Sequence, residues 1–238
     1  MDSGISVLFS GGSDSTLAAV KAMEKTEEVH LLTFHHKLMG KTGKHKKVIL
    51  ELRELYKNNL IIEYEEEIDN LYKKCYTTKM QNYLLKYRTF YFPWLCGACK
   101  LAMHISTINY NLRNNILTTF DGANIESAYL FPAQTNNYIN VMKDFYKLFG
   151  MTYECPVYNI NRTDNELEKM GVTITKNTKE EHLYYTNQHT CYLGLAVHAH
   201  GRLYYRPFRG KKRMERIAGE FLKIMIDNCS SYISKDLV

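Results

Sequence analysis

The sequence predicts an α/β fold, a single domain in which a mainly parallel sheet is covered by helices on both faces. Two observations carry this expectation. Short apolar runs with β-branched members, suited to strands buried on both faces, alternate along the chain with segments of helical period. Strands separated by helices in turn imply right-handed crossovers and parallel neighbours. Size is the second observation: 238 residues with 45% hydrophobic content can bury a full core as one domain, or one domain with a modest appendage.

The first strand is read in Ile5, Val7, Leu8 and Phe9, too short a run for a helix. A polar turn follows, Ser10, Gly11, Gly12, Ser13, Asp14 and Ser15, and then a helix signalled by Leu17, Val20, Ala22 and Met23. Val29 to Phe34 form the second strand. The segment "KHKKVILELRELYKNN" is an amphipathic helix with Val48, Leu52 and Leu55 on one side. Leu60 to Tyr64 supply the third strand and "ILTTFDGAN" a later one, while "TDNELEKMGV" and "MERIAGEFLKIMI" read as helices. No internal repeat, low-complexity tract or linker interrupts the order. Ligands of such sheets sit beyond the carboxyl ends of the strands, so the tips after Phe9, Phe34 and "ILTTFDGAN" should converge.

The turn has a chemistry of its own. Placed across a helix N-terminus, it faces unpaired N–H groups and the positive end of the helix dipole, and adjacent glycines let an anion approach the backbone. The spacing G-x-x-x-x-G-K-[ST] is absent, no lysine closes the turn, and G-x-G-x-x-G does not occur. An ordinary Ser/Asp cap on a surface helix is the plainer alternative. The string "SGGSDS" resembles the SGGxDS motif of the PP-loop ATP pyrophosphatases, a Rossmann-like (HUP-type) family that splits ATP into AMP and pyrophosphate. The resemblance implies that Ser10, Gly11, Gly12, Ser13, Asp14 and Ser15 hold the ATP phosphates and that Asp14 helps to hold Mg²⁺. It places adenine after the second strand, mostly on backbone, at Thr33 to His35 including Phe34, and adds Gly122 to the nucleotide-binding set. His35 and His36 read as exposed loop residues.

Six cysteines in a chain this long, with no secretion signal, point to structural, metal-binding or catalytic thiols. Cys96 and Cys99 lie three apart in "FPWLCGACKLAMH", and at a helix start their sulfurs can turn toward one point. A metal site, a redox dithiol and two buried cysteines all remain open. Cys75 and Cys229 read as packing or surface residues, Cys155 as buried near a strand, and Cys191 as a loop residue at the rim of the sheet. With "SGGSDS" upstream, this arrangement resembles the Fe–S-dependent tRNA 2-thiolation enzymes of the same family. That implies a [4Fe–4S] cluster on Cys96, Cys99 and Cys191 beside the ATP site, with Asp14, Ser15 and Cys191 as the catalytic set.

A second resemblance runs from Asp121 to Gly194. "DGANIESAYLFPAQTNNYI", "CPVYNINRTDNELEKMGV" and "HTCYLG" are similar to segments of 7-cyano-7-deazaguanine synthases, which make a nitrile using ammonia. Those enzymes hold Zn²⁺ with three further cysteines after the first. Here no cysteine follows Cys191 until Cys229, and His198 and His200 read as bystanders because residues two apart on a strand face opposite sides. Zn²⁺ or no transition metal is therefore the alternative to the cluster.

In either reading an oxygen of the substrate attacks the α-phosphate of ATP, pyrophosphate departs, and sulfide or ammonia displaces AMP. No general base stands out. A nucleotide-binding or assembly module without catalysis is the remaining class. The net charge of +6 and 19 tyrosines suit a polyanion such as tRNA, and the tract "RLYYRPFRGKKRMER" offers phosphate-neutralising and stacking side chains; a nucleobase-type small molecule is the other substrate class. The expected domains are residues 1–195 for the catalytic unit and 196–238 for a basic extension ending in a helix. No apolar run reaches the ~20 residues of a membrane span, so a cytoplasmic protein without membrane contact is expected. Association into a homodimer stays open.

Overall fold

A computed structural model of the chain describes residues 4–37, 44–77, 93–128, 132–173 and 211–233. Its strands are β1 (Ile5–Leu8), β2 (Glu28–His35), β3 (Leu60–Glu67), β4 (Thr118–Asp121) and β5 (Thr152–Glu154). They form one parallel sheet in the order β3-β2-β1-β4-β5. The helices are α1 (Ser13–Met23), α2 (Lys44–Leu55), α3 (Asp69–Thr77), α4 (Pro93–Asn114), α5 (Ile125–Ala128), α6 (Asn136–Lys147), α7 (Thr163–Lys169) and α8 (Lys211–Cys229).

Side chains alternate across the strands, and each set is buried, as a sheet covered on both faces requires. Ile5 and Val7 of β1, with Val29 and Leu31 of β2, pack with Leu17 and Val20 of α1 and Val48, Ile49 and Leu52 of α2. Leu8, Leu32 and Phe34 belong to the opposite core, with Leu101 and Ile105 of α4, Tyr146 of α6, and Phe221, Leu222 and Met225 of α8. Helix α1 is buried nearly all round because α7 lies over its outer side. Its Ala18, Ala19 and Ala22 combine high helix propensity with the small volume such a sandwiched position needs.

The sequence order of elements is the observed one, with three differences. Leu55 is 45% exposed and Ile49, not Leu55, completes the buried stripe of α2, since Leu55 is the last residue of the helix. The third strand continues past Tyr64 to Glu67. It is an edge strand of the described sheet, and the exposed carboxylates of Glu63, Glu65 and Glu67 suit an edge that must not recruit another strand. His35 and His36 are buried rather than exposed. His35 is the last residue of β2, and His36 stacks on Tyr72 of α3 at a ring separation of 5.0 Å.

Cys75 and Cys229 are buried, and Cys155, just after β5, is half-buried. No helix among the described residues is long and apolar enough to cross a membrane. The expected boundary at residues 195 and 196 lies outside the described residues, as do His198 and His200 and the side chains of the basic tract from Arg202 to Arg213.

Candidate functional site

The strand order changes direction between β1, the central strand, and its neighbour β4, and their carboxyl ends meet at the start of α1. This is where open α/β sheets bind ligands. Gly11 turns the chain with φ +76°, a conformation that costs glycine little. Gly12 is extended at the N-cap of α1, and no side chain caps the helix there, so the first-turn amides keep their capacity for an anion.

Hydrogen bonds fix the curl of the turn. The Ser15 hydroxyl donates to the Gly12 carbonyl at 3.0 Å and accepts from the Ser10 amide at 3.2 Å. The hydroxyls of Ser10 and Ser15 lie 3.1 Å apart. Ser15 is buried, whereas Ser10, Gly12, Ser13 and Asp14 are half-buried. Ser15 thus holds the shape of the turn while the others remain accessible.

Asp14 stands at a junction of three segments. Its Oδ1 accepts from the Thr163 hydroxyl at 2.7 Å and from Asn124 Nδ2 at 3.4 Å. Asn124 is itself anchored, donating to the Ile160 carbonyl at 2.9 Å and accepting from the Glu126 amide at 2.8 Å. Burial pushes the Asp14 carboxyl above its ordinary value; the hydrogen bond from Thr163 opposes the shift, while the charges of Asp164 and Glu126 add to it. A carboxylate left short of positive charge at a helix N-terminus suits a hard cation held together with phosphate oxygens.

On the other side of β4 lies a buried charge pair. Lys100 Nζ of α4 is 2.9 and 2.7 Å from the two oxygens of Asp121, and the Tyr153 hydroxyl donates to Asp121 Oδ2 at 2.6 Å. Burial alone would raise the Asp121 pKa, but Lys100 and these hydrogen bonds outweigh it and hold the carboxyl below its ordinary value. His104 is fully buried beside them, and burial followed by the Lys100 charge pushes its pKa down to about 3. It is therefore neutral near pH 7, and Lys100 with Tyr153 compensates the carboxylate.

Gly122 follows Asp121 directly, and a Cβ there would stand 2.6 Å from the Ser15 amide nitrogen and 2.8 Å from the Asp14 carbonyl carbon. Both neighbours are backbone and cannot swing aside. Gly122→Ala should therefore separate β4 from the turn, costing about 1–3 kcal/mol and, on the role expected for the turn, weakening the binding of ATP phosphates. Urea unfolding and nucleotide titration of the variant measure the two effects; unchanged values in both would show that the contact is dispensable.

The six turn residues and Gly122 thus come together at one sheet edge. Phe34 is 5% exposed and its side chain belongs to the core, which leaves backbone as what that strand end offers a base. Cys96 is half-buried and Cys99 buried in the first turns of α4. Cys99 shares the core with Cys75 and Cys229. Cys191 lies outside the described residues, so the proposed cysteine set is not assembled among them. The one group among the described residues with three potential metal-ligating side chains converging is His35, His45 and Glu65, without a cysteine.

Sequence reasoning missed Asn124, Thr163, Lys100 and Asp121. Asn124 had a signal in the "GAN" following β4, and Lys100 in being a lone charge within "CGACKLAMH".

Comparison with known proteins gives one family match: the model of the queuosine biosynthesis protein QueC, over residues 5–201. No curated protein matches the chain. Among solved structures the chain is similar to the NMN synthetase from Francisella tularensis, with 13% identity and a TM-score of 0.47 over 94% of this chain and 87% of that one. It is also similar to a 4-thiouridine synthetase in an RNA complex with bound ATP, with 12% identity and a TM-score of 0.48 over 96% of this chain and 53% of that one. A predicted subunit of tRNA methyltransferase from Methanocaldococcus jannaschii DSM gives 13% identity and a TM-score of 0.41 over 79% and 96%.

Proposed function

The chain belongs to the QueC family, the PP-loop ATP pyrophosphatases of queuosine biosynthesis, and from that premise we propose that it converts a carboxylate on a deazaguanine-type base into a nitrile with ATP and ammonia. Family membership makes it an ATP-using enzyme and sets aside the non-catalytic reading. The match over residues 5–201 is the observation that carries the proposal and ranks ammonia above sulfide.

The chemistry follows from the bonds exchanged. A carboxylate oxygen attacks the α-phosphorus of ATP, the bond to pyrophosphate breaks, and the acyl adenylate forms. Ammonia adds to its carbon and expels AMP, leaving an amide and a proton. The amide oxygen displaces pyrophosphate from a second ATP, and loss of AMP and the two remaining N–H protons gives the nitrile. Two carbon–oxygen connections are removed, each oxygen leaving on AMP.

In this reading the amides of the turn and the hydroxyls of Ser10 and Ser13 bind the departing pyrophosphate, where the helix dipole favours its charge. Ser15 keeps the turn in shape. Asp14 would hold Mg²⁺, which when bound neutralises charge on the phosphates; Thr163 and Asn124 orient that carboxylate. Gly122 lets β4 approach closely enough to close the far wall. Phe34 belongs to the strand end assigned to adenine.

The tetracysteine zinc site associated with deazaguanine synthases does not fit this sequence, because no cysteine follows Cys191 until Cys229, and no step is assigned to such a metal. The thiolation reading retains Cys96, Cys99 and Cys191 as cluster ligands, with Cys191 as its catalytic thiol and tRNA as its substrate. One experiment separates the two. Protein purified without oxygen is supplied with ATP and a 7-carboxy-7-deazaguanine-type substrate, with ammonia or sulfide, and AMP, pyrophosphate and base products are measured. Nitrile formation with ammonia by iron-free protein is expected. Sulfur incorporation by iron-containing protein, lost when Cys96 is replaced by Ser, would overturn the proposal.

A further inference from the structure

Beyond the nucleotide site, three potential ligands from three elements converge behind the phosphate turn. His35 ends β2, His45 lies in the first turn of α2, and Glu65 stands in β3. Both imidazoles are buried, while Glu65 is exposed. His35 Nε2 is 3.0 Å from Glu65 Oε2 and His45 Nε2 is 3.2 Å from Glu65 Oε1. The rings lie 5.9 Å apart, tilted by 54°, and one donor atom from each residue lies within 4.8 Å of the others.

We infer that His35, His45 and Glu65 bind a divalent metal of the Zn²⁺ class, in a site separate from the Mg²⁺ that accompanies ATP. The donor set selects the metal. Two imidazole nitrogens and one carboxylate suit Zn²⁺ and its neighbours, whereas Mg²⁺ takes oxygen donors. Metal–nitrogen and metal–oxygen bonds of about 2.0–2.2 Å need donor atoms a little over 3 Å apart, a contraction that small rotations of the imidazole and carboxylate side chains can supply. The exposed carboxylate gives an entry path from solvent. Lys46 Nζ, 3.2 Å from Glu65 Oε1 and with a side chain 60% exposed, is the cation a metal would displace.

Placement gives the site a use. A Cβ on Gly11 would stand 2.8 Å from both Cα and Cβ of His45, so the start of α2 rests directly on the phosphate turn. A metal joining His45 to the ends of β2 and β3 would fix that support and hold the turn in the curl that receives phosphate. The site is independent of the cysteines and stands whether ammonia or sulfide is the nucleophile.

The test uses the full chain, stripped with a chelator and titrated with Zn²⁺ alone and then Co²⁺ alone. One equivalent should bind to wild-type protein and to the Cys96→Ser/Cys99→Ser variant. His45→Gln and Glu65→Gln should each lower affinity by more than the about 10–100-fold that loss of an outer-shell partner costs, with far-UV dichroism checking the fold. Should those variants fail to fold, Co²⁺-loaded wild-type protein provides a direct reading, since two imidazole N–H protons should show paramagnetically shifted resonances. Absence of binding to wild-type protein, full retention in His45→Gln, or no shifted imidazole signal would overturn the site and leave a hydrogen-bonded His–Glu–His clamp. None of these outcomes bears on nitrile formation, which is assayed separately.

Discussion

Asp14→Asn should abolish AMP release, by about 10²–10³-fold or more, without destabilising the protein. The two halves of this expectation have different physical origins. Turnover should fall because, in the role proposed for Asp14, an amide cannot replace an anionic oxygen ligand for Mg²⁺. Stability holds because the Asn oxygen can still accept from Thr163 and Asn124, the two donors that reach Asp14 Oδ1. Burial, reinforced by Asp164 and Glu126, raises the Asp14 carboxyl above its ordinary value. The folded state then binds more protons than the unfolded chain between the two pKa values, so stability falls as pH rises through that window. Above the window the wild-type protein carries a charge penalty that Asn lacks. Nucleotide-free Asp14→Asn should therefore melt at the same temperature as wild type or higher near neutral pH, with the difference shrinking in acid. Wild-type AMP release would sink the assignment of the turn, and a lower melting temperature would sink the electrostatic account of Asp14.

The contrast between Asp14 and its partners shows what the sequence can express. The turn was legible because its strand, glycines, hydroxyls and helix are contiguous, and local chemistry specifies them all. Thr163 and Asn124 lie 149 and 110 residues away from Asp14, and no periodicity marks them. The burial of His35 and His36 was misread for a related reason. Polar residues beyond an apolar run normally signal a loop, but here β3 and α3 flank the strand end and supply Glu65 and Tyr72 as neighbours. The full length of β3 was hidden because its apolar run stops at Ile62, and its last residues, Glu65, Glu66 and Glu67, are all charged and lie along an edge. Leu55 shows the reverse error: helical spacing placed it on the buried face, yet a terminal residue need not be covered. Cys99 reads identically as a ligand or a core residue from its spacing alone, and its burial beside Cys75 and Cys229 is a property of how α3, α4 and α8 pack.

Lys100→Met should produce the largest loss of stability, toward the lower end of about 3–5 kcal/mol for breaking a buried ion pair, because the Lys100 side chain keeps 22% exposure. Asp121 cannot escape in the same way: its side chain is 4% exposed, and with Lys100 gone only Tyr153 donates to it among the contacts described above. The pH dependence should also change sign. In wild-type protein the folded pKa of Asp121 is depressed, so its contribution is present above the unfolded value of about 3.9 and is lost as pH falls through the folded value. Without the ammonium, burial dominates and the folded pKa rises above the unfolded one. Lys100→Met should then gain stability as pH is lowered from about 8 to about 5, the range over which a buried carboxyl takes up its proton. Asp121→Asn should cost less, since the Lys100 side chain is exposed enough to turn toward water, and the double variant Lys100→Met/Asp121→Asn should recover much of the loss because neither partner is left charged. Urea unfolding of the three variants across this pH range checks the set. A Lys100→Met protein as stable as wild type at the upper pH, or one that weakens in acid as wild type does, would show that Lys100 does not compensate Asp121. Asp121 immediately precedes Gly122 at the wall of the phosphate turn, so the same variant should bind ATP more weakly even where it remains folded.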